Sequence, residues 1–163
     1  MCVIIDANLA GKVFATPCDS NFKPLWDWVF DTRKQGCIVY GGHLAGELFR
    51  LRRVREGNRT ALRELKRAGR AHEIPREPVE QEERVVRSLR TAGGKRLCKS
   101  NDPHVVALAR ISGARVLCSA DQTLHADFKN LLLVPRPKGR IYQNATHAPV
   151  LGHDTCCIGR LRN

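Results

Sequence analysis

Asp6 directly follows the apolar run Val3–Ile4–Ile5, and Asp121 follows a second run, Arg115–Cys118. Glu47 lies three residues after Leu44 and four before Leu51, with Leu48 beside it. On a helix that spacing puts its carboxylate on or next to the inward face. Asp102 precedes Pro103 and comes one turn before Val105. Each acid also has a plainer reading: the three aspartates as helix caps or turn residues, Glu47 as a side chain flexing out to solvent or pairing with Arg50. Taken together, two acids at strand ends and two on helices can meet at one edge of a sheet. Four carboxylates in close company repel, and they stay ionised only with cations among them. Hard oxygen ligands suit Mg²⁺ or Mn²⁺. Such ions activate water and clamp the attacking and leaving oxygens of a phosphodiester.

The body around these acids is basic, with 28 Lys and Arg against 16 Asp and Glu, a net charge of +12. A field of that sign gathers polyanions. Between Arg50 and Arg70 there are nine basic residues and only Glu56 and Glu64 as acids. Arg50, Arg52, Arg53, Arg55, Arg59, Arg63 and Lys66 are the candidates for gripping phosphates; the competing reading is a solvated helical face. An anionic membrane fits poorly, because no large apolar face accompanies the charges. No stretch approaches the ~18 apolar residues of a membrane span. MCVIIDANLAG lacks the basic start and long apolar run of a signal peptide, so the expected location is the cytoplasm. The seven cysteines are odd in number, irregularly spaced and without a C-x-x-C, and most read as free thiols. His147, His153, Cys156 and Cys157 do not have the usual zinc-ligand spacing.

These side chains need a frame. Strands are expected at Cys2–Ile5, Cys37–Tyr40, Arg70–Ile74, Arg115–Ser119 and Leu131–Val134. Helical patterns fall between them over 8–14, 22–33, 43–55, 58–67, 78–90, 102–112 and 121–129, punctuated by Gly and Pro. Strands alternating with helices give a parallel, doubly wound α/β sheet, whose sites lie beyond the C-terminal strand ends. The segment from Pro135 onward is weakly patterned and is expected to wrap the surface.

VIIDAN and SNDPHVVALARISGARVLCSADQTLHADF, with HLAGEL between them, resemble the PIN-domain (PilT N-terminus) nuclease family and its VapC-type toxins. The similarity covers about residues 2–135, leaving 136–163 as a C-terminal extension packed on the same domain. The resemblance implies a three-layer α/β/α sandwich around a parallel sheet and Mg²⁺- or Mn²⁺-dependent hydrolysis of RNA to 5′-phosphate ends. It makes Asp6, Glu47, Asp102 and Asp121 the metal-binding catalytic acids. Asn8 and Ser119 match supporting polar positions, and Asp127 matches one that backs the metal-binding acids or holds the fold. It also implies a toxin of a toxin–antitoxin pair, with RNA, a protein antitoxin and a second copy of the chain as partners and no membrane. The chain departs from the pattern in reading Ser-Ala-Asp where Thr-Asn-Asp is frequent. The alternative is a catalytically inactive module of this fold that binds RNA or a partner.

Overall fold

The computed structural model describes residues 2–31, 33–34, 36–50 and 55–152; the side chains at 50 and 55–58 lie outside this description. Strands β1 (Cys2–Ile5), β2 (Cys37–Gly41), β3 (Ala71–Ile74), β4 (Val116–Cys118) and β5 (Arg140–Tyr142) form one all-parallel sheet in the order β3-β2-β1-β4-β5. Every residue of β1 and β4 is buried, as strands covered on both faces require. The helices are α1 (Ala7–Val13), α2 (Lys23–Phe30), α3 (Gly42–Arg50), α4 (Arg55–Arg67), α5 (Arg76–Ser88), α6 (Pro103–Ser112) and α7 (Gln122–Lys129), followed by a 3₁₀ segment, Ala145–Gly152. The chain steps outward from β1 to β2 and β3, then crosses back to β4 and β5. Right-handed crossovers in these two directions cover opposite faces of the sheet. The architecture is the three-layer α/β/α sandwich read from the sequence. No described helix is long and apolar enough to cross a membrane.

The direction of winding reverses between β1 and β4, the place where open parallel sheets bind ligands. Ile5 is level with Cys118 across that pair, and Val3 is level with Ile38 across the β1–β2 pair. Counting one residue on, Asp6 stands beside Ser119; the Asp6 amide donates to the Cys118 carbonyl at 2.9 Å. The turn from β2 into α3 depends on two glycines. A Cβ on Gly41 would sit 2.4 Å from the Ile74 carbonyl oxygen, and Gly42 has φ +55°, which favours glycine. That turn launches the helix carrying Glu47.

Two expectations need correction. The fifth strand is Arg140–Tyr142, not Leu131–Val134. The Leu131–Val134 segment turns around Asn130, whose carbonyl accepts from the Leu133 and Val134 amides. Leu133 and Val134 plug the core, while Leu132 is 69% exposed. The segment after 135 therefore supplies sheet structure, and the Tyr142 hydroxyl donates to the Asn21 carbonyl at 2.9 Å. Second, Arg70 is not part of a free basic surface. Its guanidinium donates to the carbonyls of Gly36 (3.0 Å), Asp31 (2.7 Å), Trp28 (3.2 Å) and Lys34, closing the link between α2 and β2. Of the described cysteines, Cys18, Cys98 and Cys118 are free thiols as expected, while Cys2 is disulfide-bonded.

Candidate metal centre

Asp6 occupies the N-cap position of α1 but makes no capping hydrogen bond. Its Oδ2 instead accepts from the Ser119 hydroxyl at 2.6 Å. The same Ser119 oxygen accepts from the Asp121 amide at 3.0 Å, so one buried hydroxyl fixes the acids after β1 and β4 relative to each other. Asp121 does cap its helix: Oδ1 accepts from the Thr123 and Leu124 amides at 2.7 and 3.1 Å. Asn8 Oδ1 accepts from the Ala120 amide at 3.4 Å, a long bond between the two turns. His125, which the sequence reading passed over, is buried with Nε2 2.8 Å from the Ser119 carbonyl oxygen.

A tighter cluster lies beside them. One carboxylate oxygen each from Glu47 and Asp102 and a ring nitrogen of His104 all lie within 4.8 Å of one another. Leu44 and Leu48 anchor α3 in the core, leaving Glu47 at its edge with a side chain 39% exposed. Asp102 is the N-cap residue of α6 yet makes no side-chain capping bond, so its carboxylate is not spent on the helix. His104, another residue the sequence reading missed, is only 6% exposed, and its Nε2 has no hydrogen-bond partner among the described residues. Glu47 Oε2 is 3.6 Å from that nitrogen, too far for a hydrogen bond. A buried polar atom without a partner costs about 1–3 kcal/mol.

The charges of the two groups meet at Asp102. Burial pushes the Asp102 carboxyl above its ordinary value, the His104 imidazole opposes this, and the carboxylates of Asp6 and Asp121 add to the rise. Glu47 and Asp102 thus share one cluster with His104, while Asp6 and Asp121, joined through Ser119, act on Asp102 through their charge. A carboxyl with a raised folded value contributes fully to stability below its unfolded value, about pH 4, and loses that contribution as the pH climbs through the folded value. The metal-free Asp102→Asn protein is therefore expected to resist urea better than the wild type at pH 7, with the difference closing below pH 4. Urea midpoints across that range check this, and a wild type that is the more stable at pH 7 would contradict it.

Asp127 supports the site from below. Its buried Oδ2 accepts from the Lys99 and Ser100 amides at 2.8 and 2.7 Å and from the Cys98 thiol at 3.3 Å. Burial, with Asp127 beside it, pushes the Cys98 thiol up to about 11. These bonds fix the turn from which α6 starts, and so the height of Asp102 and His104. Of the expected phosphate-gripping residues, Arg59 and Arg63 are exposed on α4. Lys66 is exposed but pairs with Glu73 at 2.9 Å. The side chains of Arg50, Arg52, Arg53 and Arg55 lie outside the described residues, as do His153, Cys156 and Cys157. Comparison of the chain with protein-family models, curated proteins and solved structures finds no match.

Proposed function

We propose that this chain is a divalent-cation-dependent nuclease of PIN-like type that hydrolyses RNA. The observation that carries the reading is the Glu47–Asp102–His104 cluster, with Asp6 and Asp121 at the adjacent strand ends adding their charge to Asp102. The residues present suit such an ion: carboxylate oxygens converge there, beside a buried nitrogen without a partner. Those four acids would hold Mg²⁺ or Mn²⁺. When bound, the ion supplies an activated water and offsets charge on the phosphodiester oxygens.

The chain's own side chains supply position. Ser119 holds one oxygen of Asp6 and the backbone of Asp121, and His125 holds the Ser119 carbonyl. Asp127 sets the start of α6. Arg59 and Arg63 are offered to flanking phosphates, contacts that orient a strand without reading its sequence. Loss of groups that orient metal ligands costs roughly 10–100-fold. Ser119→Ala is expected to lower Mn²⁺-dependent cleavage by about that factor with the fold intact by circular dichroism; unchanged turnover would remove Ser119 from the site.

End-labelled single-stranded RNA, incubated with the protein and Mn²⁺ with or without EDTA, tests the reading directly. Cleavage that EDTA abolishes is the expected result. Tight, salt-sensitive RNA binding with no cleavage in Mn²⁺ or Mg²⁺ would replace it with a non-catalytic binding module.

A further inference from the structure

The four acids alone do not account for His104. His104 is 6% exposed, a ring nitrogen lies within 4.8 Å of a carboxylate oxygen of Glu47 and of Asp102, and its Nε2 is 3.6 Å from Glu47 Oε2. No described residue gives that nitrogen a hydrogen bond. Glu47 at 3.6 Å is too distant to serve. The neighbouring imidazole, His43, meets His104 edge-on at 6.0 Å between ring centres, and its own Nε2 is 3.8 Å from Glu80 Oε1. Placement of the ring follows from sequence. Pro103 starts α6, His104 comes next, and Pro103 through Ala109 are all buried, so the imidazole cannot swing out to water without lifting the helix.

We propose that His104 Nε2 is itself a ligand of the divalent cation, together with the carboxylates of Glu47 and Asp102, and that the centre prefers Mn²⁺ to Mg²⁺. This rests on the metal-dependent reading above and deepens it. Two ligand atoms each about 2.1–2.2 Å from one ion, at 90–110° to each other, are roughly 3.0–3.6 Å apart. The 3.6 Å between Nε2 and Glu47 Oε2 falls at the upper end of that span. A ligand also relieves the buried nitrogen in a way no described side chain does. Its identity sets the choice of ion. Mg²⁺ is bound through oxygen and gives up its waters reluctantly, whereas imidazole suits transition metals. An all-carboxylate cage would distinguish the two ions weakly; one nitrogen ligand tilts it towards Mn²⁺.

The test needs no RNA. Mn²⁺ and Mg²⁺ are titrated separately into the full chain by calorimetry, and the Mn²⁺-loaded wild type is examined by pulsed electron paramagnetic resonance for ¹⁴N coupling. Expected are tighter binding of Mn²⁺ than Mg²⁺ and a directly coordinated nitrogen. His104→Gln is expected to lose at least roughly 10–100-fold in Mn²⁺ affinity, the loss that supporting partners alone produce, and to narrow the Mn²⁺-over-Mg²⁺ ratio. A packing role would weaken both ions equally and leave the ratio unchanged, which overturns the proposal. The wild-type spectrum decides even if the variant folds poorly. Bound Mn²⁺ without nitrogen coupling overturns the role of His104 and leaves the four-acid centre standing. No Mn²⁺ binding removes both. Nitrogen coupling in a protein that cuts no RNA keeps the metal ligand and removes the nuclease.

Discussion

Asp6→Asn protein is expected to cleave RNA roughly 10³-fold more slowly than wild type in saturating Mn²⁺. The estimate follows from losing one charged ligand whose ion supplies several kcal/mol of charge stabilisation, where about 4 kcal/mol is a factor of 10³. The fold should survive. An asparagine oxygen can still accept from Ser119, as Asp6 Oδ2 does at 2.6 Å, and the change relieves repulsion against Asp102. RNA affinity should hold or rise, since a negative charge has gone from the binding face. Single-turnover cleavage and filter binding on the same preparation separate the two effects. Wild-type cleavage by Asp6→Asn would end the metal-acid mechanism.

Arg115→Ala is expected to cost about 3 kcal/mol, a drop in melting temperature of roughly 6–12 °C for a chain of this length. Arg115 is 8% exposed, and its guanidinium donates to the Pro135, Ala109 and Ala114 carbonyls at 3.1, 2.8 and 2.9 Å. Removing it takes the side-chain donor from carbonyls of the approach to β4 and of the turn leading to β5, and the second donor from Ala109 of α6, which keeps the Gly113 amide. Thermal and guanidinium unfolding measure the loss, and Arg115→Lys should recover only part of it because a single compact nitrogen cannot stand in for the two spaced guanidinium nitrogens that reach these carbonyls. An Ala variant as stable as wild type would show the three bonds to be incidental.

Most of the frame was legible because parallel sheets advertise themselves. VIID and RVLC are apolar runs closed by polar residues, and parallel pairing sets the two run ends side by side, so the convergence of Asp6 and Asp121 could be read before any coordinates. His104 could not be found by asking which polar residues sit beside apolar stripes. Its signal was subtler: PHVVALA is apolar on every side, which leaves a histidine near its start no solvent face. The LLLV run misled for a related reason, since hydrophobicity marks burial and not pairing. The strand that does pair with β4 is RIY, preceded by Gly139, where a Cβ would sit 2.2 Å from the Phe128 carbonyl oxygen. Counting charges overstated the basic surface as well, because Arg70 and Arg115 spend theirs on carbonyl oxygens.

The bond between Ser119 and Asp6 spans 113 positions of chain. A growing polypeptide that has reached α5 already carries Asp6 and Glu47 but neither Asp102, His104 nor Asp121. Long-range pairings of this kind form late, so the acidic cage cannot close until β4 has left the ribosome and docked on β1. In the proposed activity, a nascent chain short of that docking lacks the hydroxyl that holds Asp6 in place, so competence for cleavage would be acquired only with the last steps of folding.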